Sequence, residues 1–398
     1  MIHALTNGLV LRDSGFAEGL AVLIDGTRIS AVVPIDDPRV ANATEHDLGG
    51  NLLLPGFIDT QVNGGGGVLF NDAPTVDAIR TIGAAHRPFG TTGFLPTLIS
   101  DDSDVIEKAI AAVTEAIRLR VPGVLGIHIE GPFLNPERKG AHDAAKLRRL
   151  DAAAVELLTT PTGGRTLVTL APEQTTPAIV RELSESGVIV AAGHTNASYA
   201  QVRAALDAGL RGFTHLFNAM SPLGTREPGA VGAALDDSSS FCGIIVDGVH
   251  VSPVVLKIAL RSRPHDRFVL VTDAMPNIGS DLSEFRLAGK RVTVHADRLV
   301  DENDTLMGAN LTMARAVANA VDLLDLDLRR AVRMASAQPA AYLKFDRVLG
   351  RIESGYLAGL VLADEKLNVI ETWIDGEHMT HRELVVAPGF ERAAQRSG

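Results

Sequence analysis

The sequence predicts an α/β protein: a (β/α)8 TIM-type barrel carrying a small β-sandwich domain formed from the N- and C-terminal segments. Short apolar runs alternate with helical segments over about 220 residues of the middle of the chain, the pattern of a parallel strand array. Those runs number eight: Phe57–Val62, Phe94–Leu98, Val124–Glu130, Leu167–Ala171, Val188–Gly193, Gly212–Leu216, Cys242–Val246 and Phe268–Thr272. A different texture, short β-like runs joined by tight turns, is confined to the two ends.

At the N-terminus the β-like runs are Ala4–Leu11, Leu20–Ile24 and Arg28–Val33, with turn signals at Asp13-Ser14-Gly15 and Asp25-Gly26. They return as Gly359–Ala363 and Val369–Ile374, followed by Asp375-Gly376, so the two ends are expected to pair. The implied organisation is residues 1–53 and 350–386 for the sandwich, 54–349 for the barrel and 387–398 for a loose tail. Within the barrel, Asp104 is placed as a helix cap with Glu107 reaching back, and Val105, Ala109, Ile110, Val113 and Ile117 form an apolar face. After the eighth strand, Ser280–Val300 reads as an inserted hairpin, and Leu311–Leu324 and Leu328–Ala335 as helices that complete the barrel.

Composition narrows the function. A formal net charge of −11 argues against nucleic-acid and anionic-membrane surfaces, though a local basic pocket for a small anion is compatible with it. The single cysteine, Cys242, excludes an intrachain disulfide framework and reads as a buried small apolar residue. No window of about 18 uninterrupted apolar residues and no export-type leader is visible, so a cytoplasmic protein is expected.

In a barrel of this kind the chemistry lies at the C-terminal ends of the strands. The residues falling there are polar throughout: Gln61 and Asn63, Thr97, Glu130, Glu173, His194, His215, Asp247 with His250, and Asp273. Glu130 closes an apolar run at Gly131-Pro132, where it either holds a metal or makes a structural ion pair. His194 or His215 alone would suit a hydrogen-bonded core histidine. Two imidazoles with one carboxylate and a vacant position, however, form the ligand set of a catalytic zinc-type centre. Asp273 is a helix cap or, beside such a centre, a proton acceptor and donor. His142 either polarises a substrate carbonyl or is a surface histidine. Arg226 and His250, with the backbone around Asn218-Ala219, form a phosphate pocket or are ordinary surface charge. Gly64-Gly65-Gly66-Gly67 lacks dinucleotide-fingerprint spacing and reads as a pliable loop at the site.

Pro55-Gly56-Phe57-Ile58-Asp59, His128-Ile129-Glu130-Gly131-Pro132-Phe133, Gly193-His194-Thr195, Thr214 through Met220 and Thr272-Asp273-Ala274 together make the chain similar to the N-acetylglucosamine-6-phosphate deacetylase family of the amidohydrolase superfamily. The resemblance runs almost end to end. It implies hydrolysis of N-acetyl-D-glucosamine 6-phosphate to D-glucosamine 6-phosphate and acetate, the alternative being an unphosphorylated N-acyl or cyclic amide substrate. It implies Glu130, His194 and His215 as metal ligands, Asp273 as catalytic acid/base and His142 at the acetyl carbonyl. Ala141, Asn218, Ala219, Arg226, His250 and the segment Leu306, Met307, Gly308 and Ala309 match sugar-phosphate contacts. Where the superfamily usually carries His-x-His on the first strand, this chain has Gln61-Val62-Asn63. Amides bind such metals poorly, so one divalent ion per subunit is expected, zinc first, with iron, cobalt or manganese as alternatives. The family also implies a homodimer or higher homo-oligomer, with the phosphate site completed across the interface.

Overall fold

Eight parallel strands run round the centre of the computed structural model, which describes residues 1–380: Phe57–Val62, Thr91–Ile99, Gly126–Glu130, Arg165–Leu170, Ile189–Ala192, Gly212–Phe213, Phe241–Ile244 and Phe268–Leu270. Each pairs with its sequence neighbour, and the ring closes where Val62 bridges Ala274, with Asp273 N–H donating to Gln61 O at 3.1 Å. His128 and Thr169 point into the barrel, so the alternate residues Ile127, Val168 and Val190 pack outward in the core between the strands and the surrounding helices.

The fifth, sixth and eighth strands stop short of the residues expected to end them. His194, His215 and Asp273 have φ of +49°, +31° and +52°, so the extended backbone breaks before each side chain. Apolar periodicity reports burial and carries no signal for such a turn.

The sandwich is built from both ends. A four-stranded sheet joins Arg28–Pro34, Leu20–Asp25, Ile2–Thr6 and Thr44–Asp47. A six-stranded sheet joins Glu377–Thr380, Val369–Ile374, Leu360–Ala363, Leu52–Pro55, Leu9–Arg12 and Gly15–Ala17. Leu5, Val22, Ile29, Leu53, Leu360, Leu362 and Trp373 close between them. The expected run Ala4–Leu11 splits at Asn7, whose φ of +53° sends its two halves into different sheets. Residues 381–386 and the expected tail at 387–398 lie outside the described residues.

Two further expectations are corrected. Asp102, not Asp104, occupies the N-cap of helix Ser103–Arg118; Asp104 lies in the first turn and pairs with Lys108 at 2.9 Å, and Ile106 rather than Val105 is the buried residue of that turn. Gly64–Gly67 is tied down instead of pliable: Gly64–Gly65 pairs with Val68–Leu69, while Gly66 and Gly67 donate to Ile278 O and Pro276 O at 2.7 and 2.8 Å. A Cβ on Gly64 would stand 2.5 Å from Val68 O, so close backbone approach requires the glycine. The inserted segment forms a three-stranded antiparallel sheet, Glu284–Leu287, Lys290–Val294 and Leu299–Val300, packed over the barrel mouth through Leu287, Val292 and Leu299 against Ile99, Met275 and Met307.

Candidate metal centre and substrate cavity

Glu130 ends the third strand with its side chain turned into the barrel mouth, and two imidazoles converge on one of its oxygens. His194 Nε2 lies 3.1 Å and His215 Nε2 2.9 Å from Glu130 Oε1, and the two ring nitrogens are 3.0 Å apart. His194 Nδ1 lies 2.8 Å from Arg138 O; a carbonyl only accepts, so Nδ1 carries the proton. His194 Nε2 faces the Glu130 oxygen, where it can donate a hydrogen bond or, once that proton is displaced, offer its lone pair to a cation. Three buried donors facing one another in this way suit a divalent cation between them. Burial would raise Glu130, but the bonds from His194 and His215 hold it well below the usual carboxylate range. Burial would lower His215, but the bond and charge of Glu130 push it up.

Gln61 and Asn63 occupy the first-strand positions beside this cluster as hydrogen-bond donors. Gln61 Nε2 donates to Glu130 Oε2 at 3.1 Å and to Asp273 Oδ1 at 3.2 Å, and Asn63 Nδ2 donates to the same Asp273 oxygen at 2.7 Å. Burial, and then the negative charge of Glu130, raise Asp273 to about 6. Its backbone is held on two sides, by Gln61 O and by Ala309 N–H, which donates to Asp273 O at 3.0 Å.

His142 stands on the loop after the third strand, its ring centroid 4.5 Å from that of His194. Its Nδ1 accepts from Ser100 N–H at 3.2 Å and lies 2.8 Å from Ser100 Oγ, so the neutral ring carries its proton on Nε2. Burial, followed by the charge of His194, pushes His142 down to about 3 and keeps it neutral.

A cavity of about 250 Å³ opens over these groups. Glu130, Ala141, His142, His194, His215, Asn218, Ala219, His250, Asp273, Leu306 and Gly308, all singled out in the sequence, line it. It also takes Ile99, Gly140, Ile245, Met275, Leu287 and Thr305, which sequence reading missed. Gly140 was visible in Lys139-Gly140-Ala141-His142, whereas an apolar lid residue such as Leu287 has the same sequence signature as a core residue. Met307 and Ala309 are buried beneath the wall rather than lining it. Arg226 is exposed and outside the lining, and His250 pairs instead with Asp247, Nδ1 to Oδ2 at 2.5 Å. Glu173 leaves the cavity altogether: its carboxylate accepts from Asn135 Nδ2, Asn196 N–H and Thr195 Oγ1, pinning two loops together. His128, between Thr97 Oγ1 at 3.2 Å and Thr169 Oγ1 at 2.8 Å, is a buried hydrogen-bonded histidine inside the barrel.

The comparisons with known proteins agree with this geometry. Residues 52–379 match the model of the amidohydrolase family. The chain belongs to that family. Among curated relatives, N-acetylgalactosamine-6-phosphate deacetylase of Shewanella sp. (strain ANA-3) is 42% identical over 92% of this chain and 93% of its own length. N-acetylglucosamine-6-phosphate deacetylase of Haemophilus influenzae is 36% identical over 95% of this chain and 99% of its own. Among solved structures, N-acetylglucosamine-6-phosphate deacetylase from Pasteurella multocida superposes with a TM-score of 0.92 at 35% identity, covering 96% of this chain and 100% of that one. As an amidohydrolase, the chain belongs to a metal-dependent family, and the Glu130, His194 and His215 cluster is its candidate metal site.

Proposed function

We propose that this amidohydrolase removes the acetyl group from an N-acetylhexosamine 6-phosphate, with N-acetyl-D-glucosamine 6-phosphate as substrate and D-glucosamine 6-phosphate and acetate as products. The observation that carries the reading is a buried proton acceptor, Asp273, in the same cavity as the Glu130, His194 and His215 cluster and a neutral histidine donor. Names and identities of the relatives support the substrate class. They divide on the configuration at C4, so the galactosamine epimer belongs in the test.

Glu130, His194 and His215 would hold one divalent ion, zinc or otherwise. Such an ion supplies Lewis acidity, lowering the pKa of water and polarising the amide oxygen. Asp273 takes a proton from water as the water oxygen bonds to the acetyl carbon. It returns that proton to the amide nitrogen as the C–N bond breaks, because an amine leaves poorly unless protonated. His142, with its proton on Nε2, donates to the acetyl oxygen and orients it. Gln61 and Asn63 aim their amide N–H groups at Asp273 and steady its ionised form.

His250, steadied through Nδ1 by Asp247, and the polar groups at Asn218 and Ala219 would receive the phosphate. Arg226 lies outside the cavity of its own chain, which supports its delivery to the cavity of a second copy in a homo-oligomer. The side chains of Val254, Ile258 and Leu223 are 64%, 55% and 59% exposed in the same region of sequence, and they would form the contact. The deciding assay is acetate release from the glucosamine and galactosamine 6-phosphates and from unphosphorylated N-acetylglucosamine, side by side on one preparation. Preference for the unphosphorylated sugar would return the function to an amidohydrolase without a phosphate site.

A further inference from the structure

Away from the barrel, the sandwich carries a second cluster with the same donor set. His46 lies on Thr44–Asp47, the edge strand of the four-stranded sheet, in register with Leu5. Glu371 and His378 lie on Val369–Ile374 and Glu377–Thr380, the latter the edge of the six-stranded sheet, with Trp373 opposite His378. At this open margin the two sheets meet through side chains. His46 Nε2 is 2.7 Å and His378 Nε2 3.0 Å from the same oxygen, Glu371 Oε2. The geometry repeats that of His194 and His215 on Glu130 Oε1.

We propose that His46, Glu371 and His378 form a second divalent-metal site, for a zinc-type ion, that clips the two sheets of the sandwich together. The three ligand atoms all lie within 4.8 Å of one another. Tetrahedral zinc with ligand bonds of about 2.0–2.1 Å needs donors about 3.3 Å apart, so the contacts of His46 and His378 with Glu371, at 2.7 and 3.0 Å, have to lengthen by about 0.6 and 0.3 Å. Two imidazoles and a carboxylate leave the fourth position to water. Side-chain exposures of 29%, 16% and 34% give an ion a way in. On the inner side Trp373, 3% exposed, makes an apolar floor, its ring centroid 5.5 Å from that of His46 and 5.0 Å from that of His378. The floor limits how far either imidazole can swing away from Glu371. None of these residues touches the substrate cavity, so the site acts on the fold and not on the reaction.

The test is a zinc or cobalt titration of the protein with its barrel cluster already loaded. A further equivalent per chain, accompanied by a rise in Tm and with cobalt by visible absorption of a tetrahedral ion, is the expected result. His378→Gln and His46→Gln should each weaken that equivalent by about tenfold or more, since even groups that only orient a ligand are worth 10–100-fold. They should leave deacetylase activity of the loaded protein unchanged, and unchanged activity also certifies that the variants are folded. Glu130→Gln should abolish the barrel equivalent and spare this one. A wild-type chain that takes up no further ion, or variants that bind it as tightly as wild type, would show that the two imidazoles are only hydrogen-bond donors to Glu371. Either outcome overturns the proposal.

Discussion

Asp273 sits at φ +52°, in the left-handed region that asparagine and aspartate tolerate better than other side chains. Asp273→Asn therefore keeps the backbone and removes the proton acceptor. Turnover should fall by about 10²–10⁴-fold or more, while metal content and substrate KM stay near wild type. Loss of metal in that variant, seen by elemental analysis, would recast Asp273 as a ligand. The pH profile follows from the sign of its shift. The reaction needs the ionised carboxylate, so kcat/KM should decline as pH falls through a value of about 6, or lower once a nearby cation favours the ionised form. An acid limb centred well above 6 would point to another base. At this scale the sequence disclosed a good deal, because a charged or imidazole residue at the end of an apolar run has no packing reason to be there. Ser100 was not legible: its role is to set the tautomer of His142, a contact made across 42 positions of sequence.

Helix Val76–His86 shows how an element supports the site from behind. His86 is fully buried at its last turn and lies with Nε2 2.9 Å from Gly64 O, holding the glycine loop that continues from the first strand. Burial pushes His86 down to about 4, so it stays neutral in the fold although it would protonate near 6.5 in the unfolded chain. Between those values the unfolded state binds the extra proton, and stability therefore falls as pH drops from about 6.5 to 4, by up to ~3 kcal/mol from this residue. Urea unfolding at pH 7 and pH 5 should show a lower midpoint at pH 5, and His86→Gln should shrink that difference. Strand positions were legible where a turn signal bounds the run: Phe57–Val62, which follows Pro55-Gly56, and Val369–Ile374, which precedes Asp375-Gly376, have the bounds read from the sequence. The sixth strand, only Gly212–Phe213, was read as longer because Thr214 to Leu216 remain buried after the extended backbone has ended.

For the whole molecule, the proposed homo-oligomer joins stability of association to substrate affinity. Val254→Glu with Ile258→Glu should convert the assembly to monomers in sedimentation velocity, and should raise KM for the phosphorylated sugar much as Arg226→Ala does. A charge-assisted contact of about 1.5–3 kcal/mol predicts a loss of roughly 10- to 150-fold in kcat/KM for either change, with kcat little affected. Monomers with wild-type KM would separate Arg226 from the phosphate. The sequence singled out Arg226, but the exposure of Val254 and Ile258 was not legible in it, since an apolar residue on a helix has the same signature whether it faces the core or the surface. The closure of the sandwich has another consequence, one of time. Leu52–Pro55 takes Leu360–Ala363 as its antiparallel partner, with Leu52 opposite Ala363, so the first strands leave the ribosome roughly 300 residues before the strand that covers them. At about 5–20 residues per second that interval is roughly 15–60 s. During it Val10, Leu53 and their neighbours lack the part of their core that Leu360, Leu362 and Trp373 supply. The birth of this protein thus ends where it began, with its earliest segment among the last to be sealed.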